Sequence, residues 1–166
     1  MPPSAPWKSA FKSLLSQSES GGQFYVATYG PRVRTCQFRG FAGELKENEH
    51  GDPKNPDAVS DLLTLTSDIR MDKFQEIKKN PSFEACFWFQ ETQDQYRIRG
   101  DAHICSLKDQ VSKDLQKQVF PKNSSIEWSW KEEWERQFSN LSPMMKGTFR
   151  SPTPGKCSMT SYLQYR

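Results

Sequence analysis

The stretch Gln23-Phe-Tyr-Val-Ala-Thr-Tyr-Gly-Pro-Arg-Val-Arg-Thr-Cys-Gln-Phe-Arg-Gly-Phe41 reads as two strands folded on one turn. Residues 23–29 are rich in aromatic and β-branched side chains, Gly30-Pro31 turns the chain, and residues 33–38 alternate well enough for a second strand. This hairpin also carries Arg32, Arg34 and Arg39, with no acid between Pro31 and Gly43. Guanidinium forks match phosphate oxygens in pairs, so the three arginines read as an anion-recognition set, and equally as a solvated strand face. Arg34 and Arg39 are an odd number of residues apart, so a bulge or strand end at Phe38 is required if both meet one ligand.

Working outward, Pro6 with Trp7, Phe11 and Leu14 predicts an amphipathic helical arm over residues 6–16. Residues 43–61 hold six acids, two lysines and breakers at Gly51, Pro53 and Pro56, the composition of a surface loop. A short strand is expected at 62–66, then a helix capped by Ser67 or Asp68 and ended by Asn80-Pro81. Residues 83–89 and 95–104 form two more strands, the second alternating Tyr96 and Ile98 against Arg97 and Arg99. Five strands with hairpin-like connections favour an antiparallel barrel. Capping signatures at Ser106, Ser129 and Ser142 announce three helices, the first carrying Leu107, Val111, Leu115 and Val119 at steps of four.

Composition bounds the rest. The chain has 166 residues, one domain's worth, and is 34% apolar but 13% aromatic, so its core leans on large rings. A net charge of +3 is too mild for bulk nucleic-acid binding, and no apolar run approaches the ~18 residues of a membrane span. Four separated cysteines with two histidines argue against a zinc cluster and for reduced thiols in a cytoplasmic protein.

A second cationic piece sits where a strand gives way to a helix, in Thr66-Ser-Asp-Ile-Arg-Met-Asp-Lys73, with Arg70 and Lys73 at i and i+3 on neighbouring positions of one helical face. Cations in a first helical turn oppose the helix dipole unless an anion binds there; Asp68 and Asp72 could also neutralise them locally. Gln95, at the head of its strand, has an amide that can both donate and accept at a heterocycle's edge. Phosphate-loop, dinucleotide-fingerprint, serine-hydrolase and zincin motifs are all missing, so chemistry should come from a bound cofactor and no catalytic side chain is named.

These motifs in this order resemble the FMN-binding split-barrel family related to pyridoxamine 5'-phosphate oxidase, over residues 5–155. The resemblance implies a mainly β chain with flanking helices, an antiparallel split β-barrel that dimerises with FMN in clefts at the subunit interface. It places Arg34 and Arg39 at the ends of the family's R-x-x-x-x-K/R strand motif, Leu65 and Thr66 beside the flavin, Arg70 and Lys73 as a phosphate clamp, and Gln95 as the glutamine that reaches the ring from the other subunit.

The expectation is one FMN-binding domain over 1–155 and a short tail over 156–166. The function expected is that of an oxidoreductase whose small-molecule substrate is open, or of an FMN-binding interaction protein that has lost its substrate site. Three departures stand out. Met71 replaces a frequent serine, the 43–61 segment is an insertion, and residues 156–166 do not resemble the family's last strand and its Trp- and Arg-bearing tail, as in a truncated form.

Overall fold

The computed structural model describes residues 4–19, 22–30, 32–44, 57–106, 111–122 and 128–152. In chain order the elements are α1 (Lys8–Gln17), β1 (Gln23–Thr28), β2 (Arg32–Phe41), β3 (Ala58–Val59), β4 (Leu63–Leu65), α2 (Asp72–Lys79), β5 (Ser82–Phe89), β6 (Asp94–Asp101), α3 (Lys113–Gln116), β7 (Phe120–Pro121), α4 (Trp130–Ser139) and α5 (Pro143–Thr148). Five strands make one antiparallel sheet in the order β4-β2-β1-β5-β6, and β3 pairs with β7 separately. The large sheet curls into a half-barrel with helices against it, the split-barrel architecture expected.

Register follows the pleat. Val26 faces Arg34 and Ala85, and Ala85 faces Ile98, so Phe24, Val26, Ala85, Phe87, Tyr96 and Ile98 share the concave side. Phe24 stacks on Phe87 at a centroid distance of 4.5 Å. Helix α1 is no arm. Phe11 is fully buried and meets the ring of Phe87 edge to face at 4.8 Å, with Trp7 and Leu14 packed beside it. The face read as amphipathic closes the core, because the open side of a half-barrel must be covered by something apolar.

Between Phe38 and Phe41 the β2–β4 register shifts: Phe38 opposes Leu65 and Phe41 opposes Leu63, so β2 carries one extra residue. Gly40 supplies the left-handed backbone there, at φ 99°. This is the irregularity the arginine spacing requires. It also lets Phe38 and Phe41, three residues apart, both pack into the core.

Three local expectations are corrected. In the segment read as a loop, residues 45–56 lie outside the described residues, but its ends are built in: Ala58–Val59 form β3, and Gly43, Ala58 and Ser60 are buried. Helix α2 begins at Asp72, and its N-cap, Met71, makes no side-chain cap bond. Asp68 instead accepts the Arg70 backbone N–H at 2.9 Å, a local turn that competes with helix initiation. The helix expected from Ser106 is, among the described residues, only α3, capped by Ser112 and burying Leu115; Val119 follows it and packs with Ala42 and Ala58 instead. The caps at Ser129 and Ser142 are as read, accepting from the N–H groups of Glu132 and Met145. The predicted tail, 156–166, lies outside the described residues.

Candidate functional site

Where α2 packs on the β1–β2 hairpin, charged groups collect on the concave side. Arg34 and Cys36 lie opposite Val26 and Phe24 on that face, and helix α2 presents Lys73 and, one turn on, Glu76. The Thr28 hydroxyl donates to Glu76 Oε2 at 2.6 Å and accepts from Arg34 Nη1 at 2.9 Å, while Arg34 Nη2 donates to the same Glu76 oxygen at 2.7 Å. Arg32 Nε stands 3.9 Å from Glu76 Oε1, and Lys73 Nζ is 4.0 Å from Cys36 Sγ. The Thr28 hydrogen bond, with the hydrogen bond and charge of Arg34 and the charge of Arg32, holds the Glu76 carboxyl below the ordinary carboxylate range against the opposing effect of burial.

Arg39 sits at the bulge, and its Nε donates to Thr66 Oγ1 at 3.2 Å. Leu65, the residue before Thr66, is the β4 partner of Phe38 and is partly exposed. Arg39 on β2 and Thr66 just past β4, 27 residues apart in sequence, are thus brought together as a second polar pair.

Arg70 stands apart from both groups. It lies in the turn before α2, where its Nε donates to Asp68 Oδ1 at 2.9 Å and its Nη1 to the Ser151 carbonyl at 2.8 Å. Its Nη2 also reaches the Phe149 carbonyl at 3.2 Å. Asp68, the local acid weighed in the sequence, neutralises it, and the Arg70 hydrogen bonds keep the Asp68 carboxyl low. The reading of Arg70 and Lys73 as neighbours on one helical turn is corrected accordingly: α2 starts two residues after Arg70.

Gln95 is elsewhere again. It pairs with Trp88 on the convex face of the sheet, and β6 is three strands from β2, roughly 14 Å at ordinary strand spacing. That face exposes Tyr25 (52%), Val33 (68%) and Trp88 (45%). An open cleft of about 690 Å³ crosses it, lined among others by Gln23, Tyr25, Thr35, Trp88 and Glu91. Further along, Glu84 is clasped by Arg97 Nε at 2.5 Å and Arg99 Nε at 2.6 Å. Within one chain, then, Arg34 and Lys73 share one face, Arg39 and Thr66 form a pair, and Gln95 looks the other way.

Thr28, Cys36 and Glu76 were not singled out in the sequence. Glu76 is three residues after Lys73, which on a helix places both on neighbouring positions of one face, and that spacing is the signal that could have found it. Among the described residues no helix is long and apolar enough to cross a membrane.

Residues 4–106, from α1 through β6, match the model of the family described as pyridoxamine 5'-phosphate oxidase, FMN-binding domain. The chain is 32% identical over 119 residues to pyridoxine/pyridoxamine 5'-phosphate oxidase 2 of Arabidopsis thaliana, covering 68% of this chain and 52% of that protein. It is also 32% identical over 122 residues to an uncharacterized protein of Saccharomyces cerevisiae, covering 61% of this chain and 37% of the other. The chain therefore spans about half the length, or less, of these curated relatives. Among solved structures, a pyridoxamine 5'-phosphate oxidase-related, FMN binding protein of Nostoc punctiforme superposes with a TM-score of 0.63 at 25% identity, over 96% of this chain and 70% of that one. The hairpin with its bulge, the α2 docking site and the sheet order all fall within the matched residues, and the chain belongs to the pyridoxamine 5'-phosphate oxidase FMN-binding domain family.

Proposed function

We propose that this chain is an FMN-binding flavoprotein that works as a homodimer, and an oxidoreductase related to pyridoxamine 5'-phosphate oxidase acting on a small-molecule substrate. The observation that carries the reading is the gathering of Arg32 and Arg34 about the single carboxylate of Glu76, with Lys73 against Cys36 on the same face of the β1–β2 hairpin. Three cations against one acid leave a surplus that suits the phosphate monoester dianion of FMN, so the donor set fits the group.

Arg34 and Lys73 would hold the phosphate, with Arg39, Leu65 and Thr66 along the flavin where β2 bulges against β4. Arg70 joins the phosphate set by exchanging its Asp68 contact for ligand oxygens. Bound FMN would supply electron or hydride transfer; the chain's part is to bind, orient and shield the ring. Gln95 cannot serve the same chain's phosphate group from the convex face, three strands away. It reaches a flavin only from a second subunit, and Trp88 beside it, with the exposed Tyr25 and Val33 on the same face, supports that face as the contact.

Purified protein tests this directly. The expected result is a yellow solution with a band near ~450 nm, retained FMN, and loss of retention in an Arg34→Ala, Lys73→Ala variant whose circular dichroism is unchanged. Colourless protein that ignores added FMN would overturn the reading. Where flavin is bound, aerobic turnover of pyridoxamine 5'-phosphate separates an oxidase from a binder.

A further inference from the structure

Resting on that reading, we propose that Glu76 is a positioning residue for phosphate recognition: it acts through Arg34, fixing the guanidinium before any ligand arrives. Glu76 Oε2, Thr28 Oγ1 and the two terminal nitrogens of Arg34 close a ring of three hydrogen bonds, at 2.6, 2.7 and 2.9 Å. The directions in this ring are forced. A guanidinium only donates and an ionised carboxylate only accepts, so the Thr28 hydroxyl must accept from Arg34 and donate to Glu76. One arrangement satisfies all three groups, and it removes the rotational freedom of Arg34.

The ring is also sheltered, with the Arg34 and Glu76 side chains only 22% and 17% exposed, and Thr28 buried. Water competes poorly for such hydrogen bonds. An arginine already ordered loses little side-chain entropy when an anion binds, so the ring contributes affinity without touching the ligand. The same bond ties α2 to the sheet and so sets where Lys73 stands, three residues before Glu76 on that helix. A carboxylate beside a phosphate-binding arginine would weaken anion binding if charge alone mattered. The shared Thr28 hydroxyl, together with the additional cations Arg32 and Lys73, is what makes ordering the larger effect.

The experiment compares FMN with riboflavin, which lacks the phosphate, by quenching of flavin fluorescence. Glu76→Ala is expected to weaken FMN binding about tenfold and to leave riboflavin binding unchanged. Glu76→Gln keeps an oxygen that can accept from both Thr28 and Arg34, and should stay within about threefold of wild type for FMN. Thr28→Val, nearly isosteric, opens the ring without removing charge and should show a smaller loss confined to FMN; it carries the test if Glu76→Ala does not fold. Equal losses for FMN and riboflavin would mean a merely structural role and overturn the proposal, as would FMN binding by Glu76→Ala that is unchanged or tighter. Wild-type protein that binds neither flavin would instead overturn the FMN reading itself, whereas wild type that prefers FMN alongside unaffected variants overturns only the role of Glu76.

Discussion

At the residue scale, the same physics that orders Arg34 recurs at Lys8. Its ammonium is nearly fully buried, pairs with Glu44 at 2.5 Å, donates to the Ser60 carbonyl, and lies 4.2 Å from the centroid of the Phe41 ring. Burial pushes the Glu44 carboxyl up, but hydrogen bonds and charge from Lys12 and Lys8 outweigh it and leave the group below the ordinary carboxylate range. A carboxylate depressed in the folded state contributes stability that is present above its unfolded pKa and is lost as pH falls through the folded one. Glu44→Gln should therefore cost about 1–2 kcal/mol near neutral pH, since an amide oxygen can still accept from Lys8 but the charge that balances its buried ammonium is gone, leaving only the more distant Asp61 as a counter-charge. The cost should shrink steadily in urea titrations taken below the carboxylate range, where wild-type Glu44 is itself protonated; a pH-independent difference would assign the loss to packing alone. None of this was legible in the sequence. Lys8 reads there as one more polar residue of an amphipathic helix, and its partner Glu44 opens a segment whose composition says surface. The Arg34 cluster was half legible: the arginines and Lys73 could be named, but the acid that joins them could not, because what couples β1, β2 and α2 is tertiary.

At the element scale, the hairpin and the β5–β6 pair were readable because their side-chain alternation directly records which face is buried. What escaped was the second small sheet. Strand β3 has two residues, too few for any periodicity; it pairs with β7, and on its other side Gly43 lets the backbone approach Ala58 closely. Gly43 has φ 80°, and a Cβ placed on it would fall 2.6 Å from the Ala58 Cβ. Gly43→Ala should therefore lose about 2–3 kcal/mol in denaturant melts, from steric overlap and left-handed backbone together. A loss below about 1 kcal/mol would mean the segment simply moves aside. Helix α1 makes the complementary case. Its apolar face was correctly placed but its role was not, since periodicity tells which side of a helix is buried and never what buries it. Phe11 meets Phe38, Phe41, Phe87, Phe89 and Tyr96 ring to ring, so Phe11→Ala should cost some 3–5 kcal/mol, measured as the shift in urea midpoint at constant slope.

At the scale of the whole molecule, the half-barrel has one face sealed by α1 and the core, while its convex face carries large apolar side chains in the open. Tyr25 lies opposite both Thr35 and Cys86, and Trp88 lies opposite Gln95, so polar and aromatic groups alternate across adjacent strands of one surface. A stable pair of subunits hides about 800 Å² on each partner, and aromatic side chains near the centre of such a patch carry most of the energy. If the proposed homodimer uses this face, one glutamate at Tyr25 and another at Trp88 place four unpaired carboxylates in a twofold contact, because each substitution occurs once in each subunit. The Tyr25→Glu, Trp88→Glu variant should then sediment as a monomer at concentrations where the wild type is a dimer, with unchanged far-ultraviolet circular dichroism, since neither side chain belongs to the buried core. It should also lose FMN affinity although the cluster around Arg34 is untouched, because a monomer leaves the Gln95 amide on the far side of the sheet. A variant that remains dimeric would move the interface elsewhere. A monomeric variant that keeps wild-type FMN affinity would remove Gln95 from the flavin site while leaving the Arg34 cluster in place.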